Sequence, residues 1–305
     1  MPSRDNGDIR IALPPDFDFD WVLGFLAART VASLETVRER AYHRSVRVNG
    51  RPVTLTLREV VSGSSVAGQR GQRVLVAGSR PRLTAAALEA AVRRMLDLDV
   101  DLARFHRLAR RDPVLAPIVR RRSGIRLPQL LDPFEGLTRA ILGQQVSVAG
   151  ASTITDRLVR LFSRPAPGAG TTGFLAFPTP ADVAEAGADR LRGLGLTRTR
   201  AATLHGAARH IAAGTLDLEQ LRTVPADEAQ AALEALPGVG PWTASYVSMR
   251  ALGDRDAFPS ADLGVIKAMQ AAGVARGSIV EAAERWRPWR GYATLHLWAS
   301  AADRR

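Results

Sequence analysis

The chain has 305 residues, 46% of them hydrophobic, and carries a formal charge of +12. That is enough apolar material for two compact domains and excludes a disordered polyelectrolyte; the excess of positive charge points to an anionic partner. There is no cysteine, which excludes disulfides, thiolate metal sites and cysteine-held iron–sulfur clusters. The five histidines are scattered, and His205 and His210 are spaced off a common helical face. No apolar run reaches the ~20 residues of a membrane span. The N-terminus bears acids and prolines where a signal peptide needs a basic and then an apolar run, so a cytoplasmic location is expected.

Residues 1–112 read as an α+β domain. Ile9 to Leu13 alternates like a strand, and a helix is expected from Trp21 to about Thr30, capped by Asp20. Strands follow over Arg44–Val48, Val53–Leu57 and Val74–Ala77. Asn49-Gly50 forms the turn between the first two, and Gly63 to Gly71 the turn between the second and third. Thr84 caps a helix over Ala85–Leu96, and another covers Asp101–Arg110. Around Pro113, Pro117 and Pro128 lies a run of arginines, Arg110-Arg111, Arg120 to Arg122 and Arg126; a solvated loop and a phosphate-contacting edge both fit it.

Residues 113–305 read as all helix. Phe134–Phe162 is helical with a break near Gly143-Gln144-Gln145, Pro165–Gly173 is a loop, and helices start at Thr179-Pro180 and Arg198. A helix–hairpin–helix spans about 229–252, and further helices begin near Leu263, Ser278 and Tyr292. In the hairpin, Leu236-Pro237-Gly238-Val239-Gly240-Pro241-Trp242-Thr243-Ala244, Pro237 ends one helix and Pro241 opens the next at the position where its missing N–H costs nothing. The two glycines supply backbone conformations that other residues reach at a cost. Such a turn aims unpaired N–H groups outward and can bind a phosphate without reading a base.

Asp262 follows Phe258-Pro259-Ser260-Ala261 and opens the next helix, a place where aspartate also serves as an N-cap. Trp242 and Tyr246, four apart, share a helical face; core packing and a binding pocket are both open to them, and to Trp286.

The hairpin together with Asp262 resembles the helix–hairpin–helix DNA glycosylases. The resemblance tightens to the bacterial DNA-3-methyladenine glycosylase II (alkylbase DNA glycosylase) family through Asp20 to Arg29, Leu34 to Val37, Ala140 to Val148 and Arg285 to Leu297. It implies an antiparallel-sheet α+β domain followed by the all-α glycosylase region. It also implies a monomeric enzyme of base excision repair that flips alkylated bases, such as 3-methyladenine and 7-methylguanine, out of duplex DNA and hydrolyses the N-glycosidic bond. By the resemblance Asp262 is catalytic, Trp242, Tyr246 and Trp286 form the base pocket, and Phe25 edges the cleft. Gly238, Val239, Gly240, Thr243, Gln144 and Gln145 contact DNA, Gln145 standing where the best-known members carry a leucine wedge. The backbone carbonyls of Glu234, Leu236 and Val239 would hold a structural sodium or potassium ion; no other cofactor is implied. Bifunctional relatives carry a Schiff-base lysine after the hairpin. Here that place is Trp242, and the chain's single lysine, Lys267, lies elsewhere, so no strand-cutting lyase activity is expected. A glycosylase for oxidised or mismatched bases and a non-enzymatic DNA-binding module are the two rival readings.

Overall fold

The computed structural model describes residues 8–62, 72–170 and 173–303. The first third builds a five-stranded antiparallel sheet from β1 (Ile9–Ala12), β2 (Glu35–Arg38), β3 (Ala41–Val48), β4 (Arg51–Ser62) and β5 (Gln72–Arg80), in the order β1-β5-β4-β3-β2. Alternation drives it: Val53, Leu55 and Leu57 of β4 face the core, with Leu57 beside Tyr42 on one side and Ala77 on the other. Asn49 and Gly50 both take positive φ, +49° and +75°, in the expected two-residue turn. The turn expected over Gly63 to Gly71 lies outside the described residues. β2 was not foreseen from the residue pattern. Its link to β3 is a second two-residue turn whose positive-φ positions are Glu39 and Arg40, which carry none of the usual turn chemistry.

Helix α1 (Phe19–Ala27) begins earlier than its pattern suggested. Its cap is Asp18, whose Oδ1 accepts from Trp21 N at 2.8 Å, while Asp20 sits in the first turn and pairs with Arg40. Thr84 caps α2 (Ala85–Leu96) as its sequence predicts. After α3 (Ala103–Arg111), the arginine-rich stretch contains a short helix, α4 (Leu115–Val119). Arg126 of that run is no surface charge: it is 3% exposed and donates to the Val100 carbonyl at 2.5 Å.

The helical body comprises α5 (Pro133–Leu142), α6 (Val148–Phe162), α7 (Pro180–Arg192), α8 (Arg198–Ala212), α9 (Ala226–Glu234), α10 (Pro241–Val247), α11 (Leu263–Ala271), α12 (Ile279–Glu284) and α13 (Arg290–Ala302). α10 widens into a π turn over Ser248–Leu252 and stops at Gly253, φ +85°. Hydrophobic packing does not follow a cut at residue 112. One cluster joins the inner sheet face and α1 to α4 with α11 to α13, so the last helices complete a core begun by the first. The other unites α5 to α10 with Val31 and Leu34 from the loop before β2. The seam between the clusters brings α1, α10, α11 and α13 to one place.

Candidate active site

The first turn of α11 anchors the site. Asp262 is its N-cap, with Oδ1 accepting from the N–H groups of Gly264 at 2.8 Å and Val265 at 3.1 Å. The same oxygen accepts from Trp298 Nε1 at 2.8 Å, and Oδ2 accepts from Trp242 Nε1 at 3.2 Å. Four N–H donors from three elements thus fix a half-buried carboxylate at a helix N-terminus, where its charge is favoured. The approach of the indole depends on Gly264: a Cβ there would stand 2.9 Å from Trp298 Cδ1 and 3.0 Å from Asp262 Oδ1.

Aromatic rings surround this carboxylate in a chain of contacts. Trp242 stacks on Tyr246 at 5.6 Å, Tyr246 meets Trp298 at 6.2 Å, and Trp298 stacks with Phe25 at 6.4 Å. Trp21 stacks on Phe25 at 5.1 Å behind it. Two guanidinium groups lie against the rings. Arg29 stands 3.7 Å from the Phe25 centroid and 5.8 Å from that of Trp298; Arg250 stands 4.7 Å from Phe25 and 5.9 Å from Tyr246. Burial pulls the Arg29 pKa down to about 10, against the opposing influence of Tyr246 and Asp262.

Sequence reasoning brought Asp262, Trp242, Tyr246 and Phe25 to this place, and the structure puts all four together. Trp286 is not among them. It is fully buried in the cluster that joins the sheet to α11–α13, donates from Nε1 to Asp112 Oδ2 at 2.8 Å and meets Phe258 edge-on. The ring expected there is supplied by Trp298. Trp286 precedes α13 and packs inward, whereas Trp298, eight residues into that helix, reaches back over α11. The segment that carries the resemblance stops at Leu297, one residue before Trp298.

The hairpin forms as its prolines and glycines require. Gly238 takes φ +85°, and a Cβ there would collide with Thr203 Oγ1; Gly240 caps α10, and Ala244 N donates to its carbonyl at 3.0 Å. The side chains expected at a DNA surface divide. Val239 is core, and its N–H is used by the Leu236 carbonyl at 3.0 Å. Thr243 is buried, and its hydroxyl accepts from Gln144 Nε2 at 3.0 Å; the same nitrogen donates to the Gly238 carbonyl at 3.0 Å. Gln144 is therefore a brace between the α5–α6 loop and the hairpin. Gln145 is exposed at the tip of that loop in a left-handed conformation, φ +57°, uncommon for a side chain of its kind. Lys267 is exposed on α11. Among the described residues no group of three or more histidines, aspartates or glutamates could hold a metal ion.

A small antiparallel-sheet domain thus packs on a helical body, with a hairpin beside a carboxylate in an aromatic cage. Residues 8–132 match the AlkA N-terminal domain, and residues 138–290 match the HhH-GPD superfamily base excision DNA repair protein. The chain belongs to that superfamily. It is 36% identical over 287 residues to DNA-3-methyladenine glycosylase 2 of Escherichia coli, covering 93% of this chain and 94% of that protein. It is 35% identical over 303 residues to a probable bifunctional transcriptional activator/DNA repair enzyme AlkA of Mycobacterium tuberculosis, covering 98% of this chain and 58% of that longer protein. A 3-methyladenine DNA glycosylase from Archaeoglobus fulgidus shares the fold, with a TM-score of 0.79 at 24% identity over 96% of this chain and 98% of its own.

Proposed function

We propose that this chain is a monofunctional glycosylase that releases alkylated bases, 3-methyladenine and 7-methylguanine among them, from double-stranded DNA. The observation that carries the reading is the Asp262 carboxylate, held by two indole N–H groups inside a ring of aromatic faces. The E. coli relative, similar along almost its whole length, bears the name of that activity.

The damaged nucleotide is flipped out of the stack at a cost of a few kcal/mol, about the unstacking energy of one base, and enters between Trp242, Tyr246 and Trp298. Gln145, exposed on its loop, fills the gap it leaves. The bond from C1′ to the base nitrogen then breaks, its electron pair leaving with the base. An N-alkylated purine carries a positive charge beforehand and departs neutral, so no general acid is needed. Positive charge passes to the sugar, where Asp262 opposes it. Water adds to C1′ and loses its proton to the same carboxylate. The Trp242 and Trp298 N–H groups hold the carboxylate in place throughout, which confines their part to positioning. The hairpin N–H groups and surface arginines grip the phosphates.

The placement of amines supports hydrolysis without strand cleavage. Trp242 stands in the hairpin's first turn, and Lys267 is exposed on α11. The carbonyl oxygens of Glu234, Leu236 and Val239 would hold a monovalent cation; that of Leu236 keeps a lone pair beyond the one given to Val239 N. Among the described residues no helix is long and apolar enough to cross a membrane. The test is a methylated duplex. Free methylpurine should appear, with strand breaks only after alkali; trapping of a protein–DNA adduct by borohydride would show a Schiff base and sink the monofunctional reading.

A further inference from the structure

Two of the protein's own cations lie against the edge of the cage. Phe25, the ring at its edge, has two guanidinium groups against it. Arg250 is almost fully buried and tied down: Nε donates to the Pro128 carbonyl at 2.6 Å, and Nη1 lies 3.5 Å from the Tyr246 hydroxyl. Arg29 differs. It sits past the end of α1, half-buried, with Nη1 donating to the Phe25 carbonyl at 3.2 Å. Its head group lies near both Phe25 and Trp298 and within electrostatic reach of Asp262. A guanidinium has five N–H donors in a rigid fork, more than the Phe25 carbonyl takes.

We propose that Arg29 is a specificity-determining residue of this site, favouring neutral lesion bases that present a carbonyl oxygen or ring nitrogen and disfavouring bases with a fixed positive charge. The inference rests on the glycosylase reading above. A cationic base entering the cage meets a like charge on the ring faces that would otherwise attract it. A neutral base meets a donor fork that its carbonyl oxygen or ring nitrogen can accept with no opposing charge. The two substrate classes differ in need as well. A cationic base leaves readily with little help, so repulsion is tolerable; a neutral base leaves with difficulty and depends on donors to take up the charge it acquires.

The test uses the full chain and two duplexes of one sequence, carrying a single hypoxanthine (neutral, with a carbonyl) or a single 7-methylguanine (cationic). Single-turnover rates are measured for wild type, Arg29→Gln and Arg29→Lys, with thermal melting and binding to an abasic-site duplex as controls for folding. Arg29→Gln should raise the ratio of 7-methylguanine to hypoxanthine release by about tenfold, the scale of one cation–aromatic or charged hydrogen-bond contact. Arg29→Lys keeps the charge but loses the fork; it should lower hypoxanthine release more than 7-methylguanine release. A ratio unmoved in both variants, or rates falling equally on both lesions, overturns the proposal. If Arg29→Gln fails to fold, the Arg29→Lys comparison decides alone. Wild type releasing neither base would instead overturn the glycosylase reading and leave nothing for Arg29 to select.

Discussion

At Asp262 one carboxylate serves as helix cap and as acceptor for two indoles, and the two duties separate by substitution. Asn also caps helices well, so Asp262→Asn should melt within a few degrees of wild type. Its amide, however, carries no charge to oppose a developing cation and sets an N–H₂ against one of the two indole donors. Base release should fall by at least about a hundredfold, the scale of losing one transition-state electrostatic partner. Gly264 allows a subtler test. A methyl group there meets both Trp298 Cδ1 and Asp262 Oδ1 at about van der Waals limits or closer. Gly264→Ala should therefore lower the single-turnover rate while leaving binding to an abasic-site duplex unchanged; unaltered kinetics would show that the indole has room to shift.

The hairpin is the element with the least freedom. Gly238 combines a positive φ with an approach to Thr203 that leaves no room for a Cβ. Gly238→Ala should cost at least about 2 kcal/mol, a left-handed penalty of about 1–2 kcal/mol plus the steric clash. Adding Thr203→Ala removes the colliding hydroxyl but not the φ, so the double variant should recover part of the loss in urea denaturation, and full recovery would mean that the backbone strain is negligible. Much of this element is legible in the residues, because Pro237, Gly238, Gly240 and Pro241 carry their conformations with them. What side chains do across elements is not legible. Gln144 reads as a surface residue from its loop, yet it braces the turn. Trp286 and Trp298 share one stretch, and only the path of α13 decides which indole reaches Asp262. β2 escaped notice for a related reason: its turn uses Glu39 and Arg40, and the energy that holds them there comes from sheet pairing rather than from their own propensities.

At the scale of the whole molecule, a buried ionic network ties the sheet to the helical body. Arg44 of β3 donates through Nη2 to both oxygens of Glu135 in α5, at 2.8 and 2.7 Å. Arg139 of α5 reaches Glu35 of β2 at 2.6 Å and Glu135 at 2.7 Å, and Tyr42 donates to Glu35. Removing one partner strands a buried charge, so Glu135→Gln should lose about 3–5 kcal/mol in denaturant unfolding. Burial alone would raise the Glu35 pKa, but Arg139 and Arg44 outweigh it and hold the carboxyl below its usual value. That stabilisation is complete above the unfolded glutamate pKa and is lost as pH falls through the folded one. His296 adds an earlier acid weakness. Burial, with His106 nearby, depresses it from 6.5 to about 3, so the unfolded chain binds its proton first. Stability should decline as pH drops below 6.5, and His296→Phe, stacked on Phe105 in the histidine's place, should flatten the decline between pH 6.5 and 4; an unchanged slope would assign the acid sensitivity to other groups.

The measurement that bears most directly on the account is free-base release from a methylated duplex under single-turnover conditions, wild type beside Asp262→Asn, at matched DNA occupancy. Release of methylpurine by wild type, with Asp262→Asn bound equally well but slowed by at least about a hundredfold, is the predicted result. Equal release by the two proteins would contradict the role given to this carboxylate, and DNA binding without release by either would leave the cage without the chemistry assigned to it.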